Sequence, residues 1–251
     1  RTLILTYYGD MDISRLTEKP AHRKKIITLS KPIDKIDEVL LFLKKSISEG
    51  NQIFWVCPLI EESKYLDYTA ANIRYEFLKK NFTDKVGLIH GALKGDKKEK
   101  VLKQFLNKSI DILVSTTVIE VGIDFPNANI IVIENSNKFG LSQLHQLRGR
   151  VGRGKTQGTC ILLYKKNLSD NAKKRIKILK SSNDGFFIAE EDMKLRGFGD
   201  VLGYQQSGIK DFKLADPVQH EDLFKIAEED IKDIEHDEKN FKKYNFLLKL
   251  F

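Results

Sequence analysis

Residues 86–115 read VGLIHGALKGDKKEKVLKQFLNKSIDILVS. The apolar run Val86 to His90 predicts a strand, the spacing from Asp96 to Leu106 predicts an amphipathic helix, and Ile110 to Ser115 predicts a second strand. A strand, a helix and a strand in this order predict two parallel strands joined by a crossover helix. This unit decides the fold, because the same alternation continues on both sides of it.

The alternation extends over most of the chain. Helical spacing covers Ile36 to Ser48, Leu66 to Lys80 and Leu141 to Leu147, and strand-like apolar runs cover Gln52 to Cys57, Ile130 to Glu134 and Thr159 to Tyr164. We therefore predict the α/β class, with a doubly wound, mainly parallel sheet and helices on both of its faces. Sheets of this kind bind ligands at the carboxyl ends of their strands, so the functional site is expected there.

Beyond Tyr164 the strand pattern stops and helical spacing takes over. Helical patterns from Asp170 to Lys180 and from Phe186 to Leu195 lie beside a glycine-rich stretch, Arg196 to Gly208. We predict three parts: residues 1–28 lead into the domain, residues 29–166 form the α/β domain, and residues 167–251 form a smaller, mostly helical unit with a charged tail.

Composition places the chain of 251 residues among globular proteins, because 41% of its residues are hydrophobic and 31% are charged. No apolar run is long enough to span a bilayer and no signal peptide opens the sequence, so we expect a cytoplasmic protein without a membrane partner.

The net charge of +8 permits a polyanionic partner, although most lysines have the spacing of solvated helix faces. The first residue is Arg1 rather than Met, from which we expect a piece of a longer protein, and the absence of heptads predicts a monomer. Cys57 and Cys160 lie in apolar runs and are expected to be buried and without a chemical role.

Residues 143–156, QLHQLRGRVGRGKT, carry the strongest chemical signal. Gly149 to Thr156 fits the P-loop pattern G-x-x-x-x-G-K-[ST], in which Lys155 would bind phosphate. A P-loop follows a strand and opens a helix, because the amides of the helix N-terminus bind the phosphate. Here helical spacing precedes the glycines and the strand Thr159 to Tyr164 follows them. Since this order is reversed, we reject a P-loop.

Arginine fingers are the better interpretation of the same stretch. The predicted helix ends in small residues that project Arg150 and Arg153 beyond the sheet edge, with Gln146 one turn earlier. An arginine placed against a γ-phosphate stabilises charge in the transition state and contributes roughly a thousandfold or more in rate. The alternative is an arginine pair that binds carboxylates of its own domain, but the interleaved glycines favour an anion site.

A second polar cluster follows the predicted strand that ends at Ser115. Hydroxyls and free amides at the carboxyl end of a strand suit backbone phosphates, and such contacts carry no sequence preference. A helix N-cap would explain one of the hydroxyls, and a turn ahead of a proline would explain the aspartate equally well. The candidates here are Thr116, Thr117, Gly122 and Asp124, and His90 at the end of another strand is a weaker one.

These segments together resemble the second RecA-like lobe of superfamily-two helicases, and among them the RecG family of branch-migrating DNA helicases. Residues 115–124 match motif five of that superfamily and residues 146–153 match motif six. FWVCPLIEES at residues 54–63 and LHQLRGRVGRG at residues 144–154 are similar to the RecG family. Residues 184–208, DGFFIAEEDMKLRGFGDVLGYQQSG, resemble the translocation element that RecG shares with the bacterial transcription-repair coupling factor.

The resemblance implies an enzyme that hydrolyses ATP to move on duplex DNA, reverses stalled forks and migrates branched junctions in recombination and repair. This chain would be the C-terminal half of the motor and would be inactive alone. The implied cofactors are ATP and Mg²⁺, with the Mg²⁺ held by a first RecA-like lobe outside this chain. The implied partners are that lobe, a wedge domain that reads the junction, and branched or forked DNA.

The resemblance also assigns roles to residues. Arg150 and Arg153 would be the catalytic ligands of the γ-phosphate. The other implied ATP contacts are Gln146, Gly122 and Asp124, the implied contacts to the DNA backbone are His90, Thr116 and Thr117, and the implied translocation-coupling residues are Arg196 and Gln206. Phe198 and Gln205 depart from the family pattern, in which proline and arginine are usual at these positions.

Three alternatives remain open from the sequence. The motor lobe of the coupling factor shares the translocation element, although residues 54–63 favour RecG. A non-enzymatic module that binds phosphate or nucleic acid would need only the basic balance and the glycine loops, but it leaves the arginine pair unexplained. An independent P-loop ATPase depends on Lys155 and is opposed by the order of helix, loop and strand.

Overall fold

The computed structural model describes residues 24–58, 64–116, 125–154 and 156–196, together with single positions between 223 and 231. The chain divides into two compact units, one formed by Lys19–Leu195 and the other by Arg1–Glu18 with Arg196–Phe251. The sheet and the helices packed on it belong to the first unit. Most of the predicted opening segment, residues 1–28, lies outside the described residues.

The sheet has six strands: β1 Ile27–Pro32, β2 Gln52–Val56, β3 Val86–Ile89, β4 Ile112–Ser115, β5 Ala128–Ile133 and β6 Thr159–Tyr164. Their order across the sheet is β1-β6-β5-β2-β4-β3, and every pairing between these strands is parallel. The prediction of a doubly wound, mainly parallel α/β sheet is confirmed. All carboxyl ends of the strands therefore lie along one edge.

The helices between the strands are α1 Ile36–Ser48, α2 Lys64–Phe82, α3 Gly95–Leu106 and α4 Leu141–Arg148, and β6 is followed by α5 Asp170–Ser181 and α6 Gly185–Arg196. Most observed bounds lie within one or two residues of the predicted ones. Strand β4 begins two residues later than predicted, because the amide of Ile110 turns back to the carbonyl of Gln104 after α3. None of the described helices is long and apolar enough to cross a membrane.

A hydrophobic core covers each face of the sheet, because successive side chains of a strand point to opposite faces. In β2, Phe54 and Val56 belong to one core and Ile53 and Trp55 to the other. One face is covered by α1 and α2, whose buried residues include Val39, Leu43, Ala71 and Leu78. The opposite face is covered by the remaining helices, with Phe105 from α3, Leu144 from α4, Leu179 from α5 and Ile188 from α6.

Helices α5 and α6 pack on the same core as the strands. Ile176, Leu179 and Ile188 all belong to the cluster that contains Phe54 and Leu144. This part of the predicted C-terminal unit is therefore attached to the α/β domain, whereas the predicted division at residue 167 as a whole stays a prediction. Cys57 and Cys160 are buried free thiols, as expected, and burial raises the pKa of Cys160 to about 12.

Candidate functional site

Two of the predicted DNA-contacting residues are neighbours at the carboxyl edge of the sheet. Strands β3 and β4 end in register, with Ile89 opposite Ser115, and the amide of Thr116 donates to the carbonyl of Ile89 at 3.4 Å. His90 and Thr116 therefore leave the sheet side by side. Both side chains are buried, and burial lowers the pKa of His90, which favours a neutral imidazole at physiological pH.

Ser115 adds a buried hydroxyl at the same edge. Its side chain is 1% exposed, and its Oγ has no hydrogen-bond partner among the residues the structure describes. A buried hydroxyl without a partner costs about 1–3 kcal/mol, so it is unusual in a folded core. The strand pattern predicted Ser115 at the end of β4, and the packed sheet shows that its hydroxyl is enclosed.

The loop between α4 and β6 carries the predicted arginine fingers. A helix precedes Gly149 to Gly154 and a strand follows, so the loop does not open a helix and the order that argued against a P-loop is the observed one. Lys155 itself lies outside the described residues. The loop is part of the connection between two strands of the sheet rather than a separate appendage.

Glycines hold this loop close to neighbouring backbone. Gly152 has a φ of +67°, and a Cβ built on it would lie 3.0 Å from the Cα of Gly158. A Cβ built on Gly154 would lie 2.7 Å from the carbonyl oxygen of Pro126. Real Cβ atoms do not approach backbone this closely, so side chains at these positions would push the loop away. Pro126 follows the predicted nucleotide contacts Gly122 and Asp124 in sequence, and the arginine loop is thus packed against the backbone just after them.

Arg150 and Arg153 differ in their surroundings. The Arg150 side chain is half-buried and has no hydrogen-bond or ion-pair partner in the part of the chain that is described. Arg153 is exposed, and its Nε donates to the carbonyl of Gly149 at 3.4 Å. Gln146 is exposed on the last turn of α4. The described residues therefore offer Arg150 no carboxylate, which was the alternative to an arginine finger.

Arg148, in the same stretch, has a structural role that none of the sequence motifs predicted. Its Nη1 donates to the carbonyls of Leu179 at 2.6 Å and Ser182 at 2.8 Å, and weakly to Thr28 Oγ1 at 3.4 Å. Its Nη2 lies 3.1 Å from Nδ1 of His145, which accepts because a guanidinium only donates. Arg148 is 2% exposed, and it supplies positive charge and donors at the C-terminus of α5, where carbonyls lack helical partners.

Helical phase places Arg148 on the buried face of its helix, but it does not indicate which groups the side chain binds. Leu141, Leu144 and Arg148 are spaced by three and four residues and share the buried face of α4, whereas Arg150 lies beyond the end of the helix. The same helix also contacts α6, because Ser142 Oγ donates to Asp192 Oδ2 at 2.5 Å. The helix that leads into the arginine loop is therefore bonded to both α5 and α6.

A half-buried ion pair joins α2 to the connection that leads into α4. Glu134, directly after β5, accepts from Arg74 Nε at 2.7 Å, from Arg74 Nη2 at 2.6 Å and from Trp55 Nε1 at 3.0 Å. The next residue, Asn135, has a φ of 48°, and it begins the short turn before α4. No local pattern predicts this pair, since Arg74 and Glu134 are 60 residues apart.

The remaining predicted site residues lie where the structure is not described. These are Thr117, Gly122, Asp124 and Gln206, as well as the side chain of Arg196 at the end of α6. Phe198 and Gln205 are also outside the described residues. In the described ranges, no group of three or more His, Cys, Asp or Glu side chains could hold a metal ion.

Comparison with known proteins places the chain among helicases. The family described as "Helicase conserved C-terminal domain" matches residues 31–155, and "ATP-dependent DNA helicase RecG, domain 3, C-terminal" matches residues 182–249. The ATP-dependent DNA helicase RecG of Bacillus subtilis is 47% identical over 232 residues, which cover 92% of this chain and 34% of that protein. RecG of Thermotoga maritima is 44% identical over 237 residues, covering 94% of this chain and 30% of that protein.

A solved structure extends the comparison to three dimensions. The chain in the structure of RecG bound to a three-way DNA junction is 42% identical, with a TM-score of 0.68, and the match covers 89% of this chain and 29% of that one. The chain thus spans about a third of the length of the curated relatives it matches.

Proposed function

Because this chain belongs to the RecG family of ATP-dependent DNA helicases, we propose that the protein carrying it hydrolyses ATP to move on duplex DNA and remodel branched junctions. In this proposal the chain is the C-terminal half of the motor, and fork reversal and junction migration serve recombination and repair. The observation that carries the proposal is the arginine loop after α4, where Arg150 has no partner among the described residues.

The proposed role of the loop is to complete an ATP site built on another lobe. ATP supplies the bond that is broken, and a first RecA-like lobe would hold the nucleotide and its Mg²⁺. Arg150 and Arg153 donate N–H groups that suit the oxygens of a γ-phosphate, and they stabilise the charge that develops there in the transition state. Gln146, Gly122 and Asp124 are the further proposed contacts to ATP.

The proposed DNA contacts lie at the carboxyl edge of β3 and β4. His90, Thr116 and Thr117 would bind the phosphate backbone, which carries no sequence information. A neutral His90 retains one N–H donor for such a contact, and the lowered pKa supports that form. The partner is branched or forked DNA, as in the junction-bound relative named above.

The proposed coupling runs through the helices after β6. Arg148 joins α4 to the C-terminal end of α5, and Ser142 joins α4 to Asp192 of α6. Arg196 ends α6. Together with Gln206 it would couple closure of the ATP cleft to movement of the translocation element, which both residues belong to and which lies within residues 167–251. A wedge domain on the same polypeptide, a monomeric state and a cytoplasmic location complete the proposal.

The test is junction-stimulated ATP hydrolysis by the full-length protein. We expect Arg150→Ala and Arg153→Ala each to lower kcat by roughly a thousandfold, because each removes a ligand of the transferred phosphate. Lys155→Ala is the matched control in the same loop, and it should retain most of the activity. Loss of activity in Lys155→Ala with retention in both arginine variants would instead support a P-loop within this chain.

The match of residues 182–249 to RecG domain 3 favours a RecG-type helicase over the transcription-repair coupling factor. A non-enzymatic phosphate-binding module would show no loss in the arginine variants, because it has no turnover to lose.

A further inference from the structure

Helix α5 carries an uneven charge distribution. Its sequence DNAKKRIKILKS contains five cations and one acid, and its apolar residues Ala172, Ile176 and Leu179 are buried against the sheet. The opposite side of the helix is exposed and lysine-rich. It has no exposed large apolar side chain, so it is unsuited to an apolar protein interface.

Two of the cations on α5 are already engaged. Lys173 pairs with Asp170, the acid of this helix, at 3.0 Å. Arg175 is half-buried and donates to the carbonyl of Phe139 at 2.7 Å and to that of Asn137 at 3.2 Å. Arg175 is therefore part of the fold, and Lys173 is an exposed side chain that is already paired within its own helix.

The other three cations form what we name the α5 lysine row: Lys174, Lys177 and Lys180. All three are exposed, and none has an ion-pair or hydrogen-bond partner among the described residues. Like charges three residues apart on a helix repel each other by a few tenths of a kcal/mol per pair. An anionic partner would remove this repulsion.

The spacing of the row fits a phosphate backbone. A rise of about 1.5 Å per residue places the first and last of the three lysines roughly 9 Å apart along the helix axis. A DNA strand rises about 3.4 Å along the duplex axis per phosphate, so a row that lies parallel to this axis covers the rise of two to three phosphates. Their exposed ammonium groups are thus close enough together to contact successive phosphates of one strand.

The position of α5 gives such a contact a mechanical consequence. Arg148, on the helix that leads into the arginine loop, donates directly to the carbonyls of Leu179 and Ser182 at the end of α5. A displacement of α4 relative to α5 would strain these two hydrogen bonds. A polyanion bound there would follow movements of the arginine loop.

We propose that the α5 lysine row of Lys174, Lys177 and Lys180 binds the phosphate backbone of duplex DNA without sequence preference. The proposal rests on the proposed function, because it takes DNA as the substrate of the motor, and it adds a DNA contact on α5. A DNA contact would distinguish these three lysines from surface lysines whose ammonium groups contact only water.

Helix α3 supplies a matched control. Lys94, Lys97 and Lys100 have the same spacing of three residues, are exposed, and have no partner within the described ranges. They are interleaved with Asp96 and Glu99, and Glu99 pairs with Lys103. Helix α3 begins five residues after His90, at the edge of the sheet where β3 ends, whereas α5 packs beside β1 at the opposite edge, so the two variants distinguish a contact on α5 from one beside His90. Replacing either row by glutamine removes the same charge.

The experiment measures binding of the full-length protein to a fluorescein-labelled three-way DNA junction by anisotropy at several salt concentrations. Each phosphate contact contributes about 0.9 to the slope of log K against log salt concentration. We expect Lys174→Gln/Lys177→Gln/Lys180→Gln to make this slope shallower by about two to three. Lys94→Gln/Lys97→Gln/Lys100→Gln should change the slope by less, because acidic side chains stand among these lysines. When the salt concentration rises from about 50 to 200 mM, a variant therefore loses roughly threefold less affinity than the unaltered protein for each phosphate contact that it lacks.

Two further readouts make the result decisive. ATP hydrolysis without DNA and the melting temperature should be the same in both triple variants and the unaltered protein, since all six lysines are exposed. Equal slope changes in the two variants would show an effect of net charge and overturn the proposal, as would an unchanged slope in the α5 variant. If the unaltered protein binds no junction DNA, the proposed function fails together with this inference. If the unaltered protein binds the junction and the α5 variant has the same slope as the unaltered protein, this inference fails and the proposed function stands.

Discussion

Arg148→Met is the substitution whose effect the structure defines best. The change keeps an unbranched apolar side chain in the core but removes the guanidinium that donates to the carbonyls of Leu179 and Ser182. Hydrogen bonds from a charged donor contribute about 1.5–3 kcal/mol each, so two of them amount to roughly 3–6 kcal/mol. Part of this is offset because methionine needs no desolvation on burial. We expect a net loss of about 3 kcal/mol in the stability of the attachment of α5.

Hydrogen exchange followed by mass spectrometry measures this loss locally, which avoids assuming that a multidomain protein unfolds in one step. A destabilisation of about 3 kcal/mol corresponds to a roughly hundredfold faster exchange of amides in α5, since each 1.4 kcal/mol is tenfold. Arg150→Met is the control, because it removes the same group from a half-buried position without a partner among the described residues. It should leave exchange in α5 unchanged while lowering ATP hydrolysis. Exchange in α5 that is the same in Arg148→Met as in the unaltered protein would refute the reasoning.

Two other substitutions test the backbone and the ion pair around the site. Gly154→Ala places a Cβ 2.7 Å from a backbone carbonyl oxygen, so the arginine loop must shift. We expect a destabilisation of about 1–3 kcal/mol, measured by thermal melting, and slower ATP hydrolysis, measured as turnover. Gly91→Ala is its control, since a Cβ there meets nothing within 4 Å, and equal effects of the two changes would contradict the steric argument. Glu134→Gln removes the charge from its half-buried pair with Arg74 while keeping one oxygen acceptor, and we expect it to cost about 1–2 kcal/mol in unfolding experiments. Adding Arg74→Met should restore part of that loss, and a strictly additive double variant would show that the two side chains do not interact.

Much of the α/β domain follows from local patterns. The period of the apolar residues predicted helices α1 to α6 and five of the six strands of the described region to within about one or two residues, because a buried face repeats every 3.6 residues in a helix and every two in a strand. The edge strand β1 was not predicted, since the residues up to 28 were interpreted as a segment leading into the domain. The order of helix, glycine loop and strand was also predictable, and it was enough to argue against a P-loop. The resemblance of the arginine and translocation motifs to the RecG family was carried by short, contiguous residue runs, so it too needed no tertiary information.

The different environments of neighbouring arginines depend on tertiary packing. Arg148 and Arg150 are two residues apart, yet one is buried against carbonyls of α5 and the other has no partner among the described residues. The carbonyls that Arg148 binds are more than 30 residues away along the chain, and no local pattern encodes that approach. The same holds for the pairing of Arg74 with Glu134 and for the enclosure of the Ser115 hydroxyl.

The sequence by itself determined the element types, the parallel α/β class, the family and the identity of the candidate arginines, because each of these depends on residues that are close together in the chain. The tertiary structure decided the strand order, the attachment of α5 and α6 to the sheet and the division of the arginines into a structural one and a candidate finger. Those features arise from contacts between distant segments, whose free energy depends on burial and on geometry that forms only when the whole core packs.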